Sequence, residues 1–280
     1  MATLAPGINI NNGIYTSKRE MIEDLQDKAI DMNLLFNTNF DLDGTTMKFI
    51  APFNLPVQAQ AKADIPDNGC KRTITCVGGE DFDVPLDQWL DEQYAFKRCA
   101  VNMLSPKAIN SAYATYVKNW RNAEVNYSLT QLAGALTAAI DVDTTTIVDT
   151  TEDMIAQLED NGFSREDMVV LYSGKAASAF RKLGYACCTL RSQFAPDEVV
   201  NNKFDVKRVV DVKNKLNGLA DIMVYIQAYA LYGDYCKSSP EIYDGTNEYK
   251  GRSIISGEEG FGFKMYAPEV AGLKYTIPEA

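Results

Sequence analysis

The residue types that could do chemistry in this 280-residue chain are few, because it contains no histidine. Histidine is the usual general base near neutral pH and the commonest metal ligand. Its absence excludes Ser-His-Asp and Cys-His nucleophile pairs and the HExxH zinc helix. Cysteines stand at 70, 76, 99, 187, 188 and 236, two of them adjacent and none in a CxxC pair. A zinc site without imidazole needs four well-spaced thiolates, and this spacing offers neither that nor a disulfide framework. Free thiols in a reducing compartment are therefore expected. Carboxylates gather in three places: Asp81 with Asp83, Asp141 with Asp143 in IDVDTTT, and Glu258-Glu259 between glycines. Such pairs can bind Mg²⁺ or perform acid–base catalysis. They also arise readily at a net charge of −11, and Asp at a helix start is explained by capping. DVDTTT lacks the further oxygen ligands of a calcium loop. Ser173-Gly174-Lys175 follows a predicted strand, but the GxxxxGK[ST] spacing of a phosphate loop is missing. No catalytic residue, cofactor site or metal site is expected.

Composition narrows the class further. A chain with 46% hydrophobic and 23% charged residues folds into a globular core. The acidic balance argues against a free nucleic-acid-binding module and favours soluble, mutually repelling copies. Lys71-Arg72, Arg181-Lys182 and Lys207-Arg208 are scattered, without interleaved aromatics, and read as surface or subunit-contact charges. The longest apolar runs, 132–140 and 222–232, are too short to span a bilayer, so no membrane partner is expected. MATLAPGINI has no basic region followed by an apolar core, which predicts no secretory signal and use in a cytoplasm.

The elements that must position these residues follow from periodicity. Residues 1–15 form an extended arm. Ser17 and Glu20 have capping-box spacing ahead of a helix to about 35. TTMKFIA alternates Met47, Phe49 and Ala51 against Thr46, Lys48 and Ile50, and RTITCV at 72–77 alternates again, so both read as strands. Between them lies a polar stretch with three prolines and an Asp67-Asn68-Gly69 turn. A two-stranded excursion of this kind has too few apolar residues for its own core and must lie on another surface. A helical block is predicted for Asp87–Leu104. A second helix starts at Ser105-Pro106 and carries Tyr113, Tyr116, Val117 and Trp120, and a third covers 127–139. A Thr-capped helix at 150–162 stops at Asn161-Gly162; then come strand 168–172, helix 174–183, a buried strand from 221 and glycine-bent closing strands.

Taken in order, these elements resemble the major capsid protein of tailed bacteriophages. LFNTNFDLDGTTMKFIAP is similar to that family's approach to its extended loop, EDMVVLYSGKAASAFRKL to its central strand–turn–helix, and ADIMVYIQAYAL with GEEGFGFKMYAPEVAGLKYTI to its closing strands. The resemblance implies an α+β, Hong Kong 97-like fold. Its parts would be an N-terminal arm and helix (1–44), an extended β-hairpin loop (45–82), a peripheral domain with a long spine helix (83–140 and 220–280) and an axial domain (141–219). Phe49, Phe53, Leu55, Lys62, Lys71, Arg72 and Ile74 would then be the candidates for intersubunit contact. No motif marks Lys62 or Lys71 as the crosslinking lysine that some members use. The implied function is self-assembly, as hexamers and pentamers, into an icosahedral head enclosing double-stranded DNA held by non-specific contact. The implied partners are a separate scaffolding protein, a portal and a decoration protein. Localisation would be the virion, assembled in the host cytoplasm. Two other readings stay open. One is an encapsulin-like nanocompartment shell. The other is a carboxylate- or Mg²⁺-dependent enzyme gathering Asp81, Asp83, Asp141, Asp143, Glu258 and Glu259 in one pocket.

Overall fold

The computed structural model describes residues 8–10, 13–15, 32–43, 46–50, 81–97, 106–183, 190–192, 195–199, 203–213, 216, 218–244 and 252–278. The short strands β1 (Ile8–Ile10) and β2 (Gly13–Tyr15) pair antiparallel. Of the helix expected at 17–35, only its end, α1 (Met32–Leu35), falls among the described residues. Next come β3 (Asp41–Asp43) and β4 (Thr46–Ile50). In β4 the alternation holds, with Met47 and Phe49 buried and Thr46 and Lys48 half-buried. Its partners are β3 on one side and β5 (Asp81–Pro85) on the other. The expected partner strand at 72–77 lies outside the described residues.

The predicted helix at 87–104 is corrected by the structure. Residues 88–97 form β6 (Gln88–Leu90) and β7 (Gln93–Lys97). Trp89, Tyr94 and Phe96 are strand formers, and an open β-edge elsewhere in the chain offers them a ladder, which overrides the helical spacing of a few apolar residues. The two helices expected at 106–120 and 127–139 are one, α2 (Pro106–Ala135), of 30 residues and about 45 Å. Proline at its first position is pre-set for a helix start. The buried positions 113, 116, 117, 120, 124, 125, 128, 129, 132 and 133 recur every three or four residues without a break. Short β8 (Thr137–Ala138) follows.

The next helix, α3 (Ile147–Asp160), starts earlier than predicted. Thr146 is its cap, and its hydroxyl accepts the Asp149 amide at 3.1 Å. Asn161 and Gly162 (φ 90°) end it, as the sequence indicates. Strand β9 (Met168–Ser173) is wholly buried, and α4 (Gly174–Lys182) follows, capped by Ser173. The closing strands are β10 (Leu190–Ser192), β11 (Ala195–Val199), β12 (Arg208–Lys213) and the fully buried β13 (Ile222–Ile226). A 3₁₀ turn at 227–229 then leads into β14 (Ala230–Asp244), β15 (Arg252–Met265), α5 (Pro268–Ala271) and β16 (Gly272–Tyr275).

Among the described residues, three sheets result besides the β1–β2 pair. A mixed seven-stranded sheet runs β10-β11-β12-β9-β13-β16-β8 and carries α3 and α4, which pack on its apolar side chains. The long antiparallel ribbon β14–β15 is extended by β6 and β7, both paired to β15. The third sheet, β3-β4-β5, is the root of the 45–82 excursion. Because β13 and β16 pair in the sheet of β9, the closing segment contributes to two sheets. No helix among the described residues is long and apolar enough to cross a membrane.

Candidate functional site

The ribbon has two faces, and the pleat decides what each does. Odd-numbered Glu259, Phe261 and Phe263 of β15 turn inward and are buried against α2 and the main core. Tyr127 of α2 meets Phe261 edge to face, with ring centres 5.4 Å apart. Tyr232, opposite Phe263, reaches back to Glu124 of α2 with its hydroxyl at 3.3 Å.

Even-numbered Gly260 and Gly262 turn outward, and both are places of close approach. A Cβ on Gly262 would lie 2.2 Å from the Pro85 carbonyl oxygen, and one on its partner Gly233 would lie 2.1 Å from Met47 Sδ. The root sheet therefore sits directly on ribbon backbone, where only glycine fits. Met47, Phe49, Val84, Leu86 and Leu231 make a small apolar cluster there, with Phe40 5.5 Å from Phe49. The root of the excursion is thus seated on residues nearly two hundred positions away. Gly260 pairs with Trp89 on one side and Tyr235 on the other, and the Trp89 ring covers it. Trp89 and Tyr235 are 48% and 43% exposed, so an aromatic pair of about half-free surface flanks the docked root.

Between α2 and the β6–β7 edge lies an open groove of about 700 Å³, lined chiefly by Leu90, Tyr94, Ala112, Tyr116, Trp120 and Ile255. Tyr94, Tyr116 and Trp120 form a ladder of edge-to-face contacts at 5.8 and 5.3 Å. Burial and the neighbouring Glu92 push the Tyr116 hydroxyl far above its ordinary range, so it stays a neutral donor, here to the Glu92 carbonyl at 2.8 Å. From the groove floor, the Trp120 indole N–H donates to Glu259 Oε2 at 2.6 Å. Arg121 donates to Glu124 at 2.7 Å, lies 3.5 Å from Glu259 and 4.0 Å from Asp234. This buried charge cluster is absent from the sequence reading.

The predicted site residues fare differently. Phe49 is 1% exposed, packed in the root cluster with Met47, Val84 and Leu231. Phe53, Leu55, Lys62, Lys71, Arg72 and Ile74 lie outside the described residues. The acidic positions are not brought together. Asp141 and Asp143 precede α3, where the Thr145 hydroxyl and amide both donate to Asp143 and hold its carboxyl below the usual range. Asp83 is on the root sheet and Glu258-Glu259 on the ribbon. Among the described residues, no three Asp, Glu or Cys side chains gather as metal ligands. Ser173-Gly174-Lys175 is a helix start whose Ser173 hydroxyl serves Asp221 at 2.6 Å and the Ala176 amide at 3.2 Å.

No protein-family model and no curated protein matches the sequence. Solved structures do match the fold. A chain from Mycobacterium phage Che8 aligns at TM-score 0.56 and 14% identity, covering 89% of this chain and 91% of its own. The capsid structure of cyanophage P-SCSP1u aligns at TM-score 0.56 and 11% identity, covering 98% and 93%. A virus-like particle from Pyrococcus furiosus aligns at TM-score 0.50 and 11% identity, covering 91% and 96%. The likeness spans sheets, ribbon and spine together, at identities where only the fold is shared. The chain shares its α+β fold with the cyanophage capsid chain and the other phage chain.

Proposed function

We propose that this chain is the major capsid protein of a tailed phage, assembling as hexamers and pentamers into an icosahedral head around double-stranded DNA. The observation that carries the reading is the end-to-end likeness to the cyanophage capsid chain, in which neither partner leaves a substantial domain unmatched. The surface chemistry agrees. The three large aromatics most exposed among the described residues, Trp89, Tyr94 and Tyr235, all belong to the ribbon and its added strands. Aromatic side chains of that kind are enriched in subunit interfaces. The excursion 45–82 is assigned to contact with a neighbouring subunit, its root fixed by the glycine-floored seat. Residues 83–140 with the ribbon are assigned to the peripheral part, and 141–219 with β13 and β16 to the axial part, since those strands share one sheet. A scaffolding protein, a portal, a decoration protein and packaged DNA are the remaining partners in this reading, with assembly in the host cytoplasm and residence in the virion. Nothing in it requires catalysis.

A second reading, a cellular nanocompartment shell, draws on the Pyrococcus particle alone. Electron microscopy of the sedimented full-length chain tests both. Closed shells or six- and five-fold rings support a shell subunit, and a compact monomer under all assembly conditions overturns it. Heads that take up DNA when a compatible portal and packaging motor are supplied favour the phage reading; shells that enclose a co-expressed protein cargo favour the compartment.

A further inference from the structure

The charges buried between α2 and the ribbon do not balance. Glu124 and Glu259 are 0% and 2% exposed, and they share one guanidinium, that of Arg121. Asp234, 38% exposed, adds a third carboxylate at the rim. The groups facing the pair are Arg121 from α2 and Tyr232 and Asp234 from β14; at this register β6 brings only Leu90. Two carboxylates side by side in a buried site cannot both ionise beside one cation that they also share with a third. The hydrogen-bond inventory points the same way. Glu124 Oε1 is buried with no donor. Both carboxyls converge on the same Arg121 Nη1, at 2.7 and 3.5 Å, so two like charges stand side by side at one nitrogen.

We propose that the folded chain holds one proton between Glu124 and Glu259 at neutral pH, and that this proton fastens the spine helix α2 to the ribbon strand β15. With the proton present, one carboxyl is neutral, the other is paired with Arg121, and Glu124 Oε1 gains its donor. Without it, two adjacent buried anions push helix and ribbon apart. Trp120 shares in the joint, since its indole holds Glu259 while its ring floors the aromatic groove, so loosening the joint alters the groove as well. Burial and the Glu124 charge push the Glu259 carboxyl up to about 9, in keeping with this count.

The sign follows from proton linkage. The folded state binds this proton more tightly than the unfolded chain, so the site's contribution is complete below the ordinary carboxylate range. It falls as the pH rises to about 9 and is gone above that. One proton corresponds to a change of at most about tenfold per pH unit in the unfolding equilibrium.

The test is urea unfolding of the dilute full-length chain across that pH range, for the parent, Glu259→Gln, Glu124→Gln and Glu258→Gln. Glutamine mimics the protonated carboxyl and gives Glu124 a permanent donor. The expected result is a parent and Glu258→Gln that lose stability with rising pH, and a Glu259→Gln protein whose dependence is flattened and which is the more stable in alkali. A Glu259→Gln protein that is uniformly weaker with the parental slope would show a purely structural role and overturn the proposal. A second readout avoids reliance on variants that fold poorly. Difference infrared spectroscopy of the parent should show a protonated-carboxyl stretch at neutral pH that Glu259→Gln lacks and that disappears above about pH 9. No such band in the parent also overturns it. Neither readout depends on shell formation.

Discussion

In the seven-stranded sheet, β9 and β13 present no exposed side chain on either face, and their register is set by Val, Ile, Met and Tyr packed between α3, α4 and α2. Four residues after β13 ends, the ribbon begins, and it is built differently. Its inner face carries a buried arginine–carboxylate cluster, and its outer face has glycines where another sheet sits on bare backbone. The first region is held by apolar burial, which is non-directional and tolerant of small shifts. The second is held by contacts that fail if moved by an ångström or lose a proton. Rigid sheet and conditional joint meet along α2. In the proposed shell reading, that division suits a subunit that folds and then adjusts to its neighbours.

The largest effect should come from placing charge in the first region. Val170→Asp buries a carboxylate with no partner and should cost more than about 4 kcal/mol, abolishing the cooperative thermal transition. Retention of a sharp transition near the parental midpoint would mean that the sheet is not the folding core. Gly262→Val acts on the second region alone. Its side chain would occupy the place of the Pro85 carbonyl, so the root should lift from the ribbon at a cost of about 1–3 kcal/mol. Hydrogen exchange should quicken at 46–50 and 81–85 and stay slow at 168–173; equal loss in both segments would erase the division drawn here. Thr146→Ala removes the cap of α3 and should cost about 1 kcal/mol, seen as a lower urea midpoint with an unchanged slope. The smallest stability change, within about 0.5 kcal/mol, is expected for the half-exposed Tyr235→Ser. Its assembly yield, followed by light scattering, should nevertheless fall, whereas unchanged yield would remove the outer aromatic face from the interface.

The two regions also differed in how far the sequence revealed them. Strand β9, the helix after it and buried strand β13 were legible because runs such as MVVLY and IMVYI permit little besides a central strand, and Asn161-Gly162 marks a helix end unambiguously. In sequence the single spine helix reads as two because its stripe passes through Glu124 and Ser128, which interrupt the apolar pattern. Those same positions are buried, so a carboxylate standing in an otherwise apolar heptad face was the available signal for the charge cluster. Its partner Glu259 sits beside Glu258 in an acidic, glycine-flanked run that reads as surface; only the strand alternation separates the buried member from the half-exposed one. Strands β6 and β7 read as helix in sequence because their stability comes from pairing with β15, more than a hundred and fifty residues later. Periodicity within ten residues carries no trace of such a partner.

In the proposed shell subunit the folding core and the assembly contacts are separate. Sedimentation and electron microscopy of the full-length chain beside one lacking residues 52–70, with the thermal transition of each recorded, test this. Separate core and contacts give shells or rings from the full-length chain, none from the deleted one, and the same thermal transition in both. A compact monomer in both cases would contradict it, and so would shells that persist without the segment.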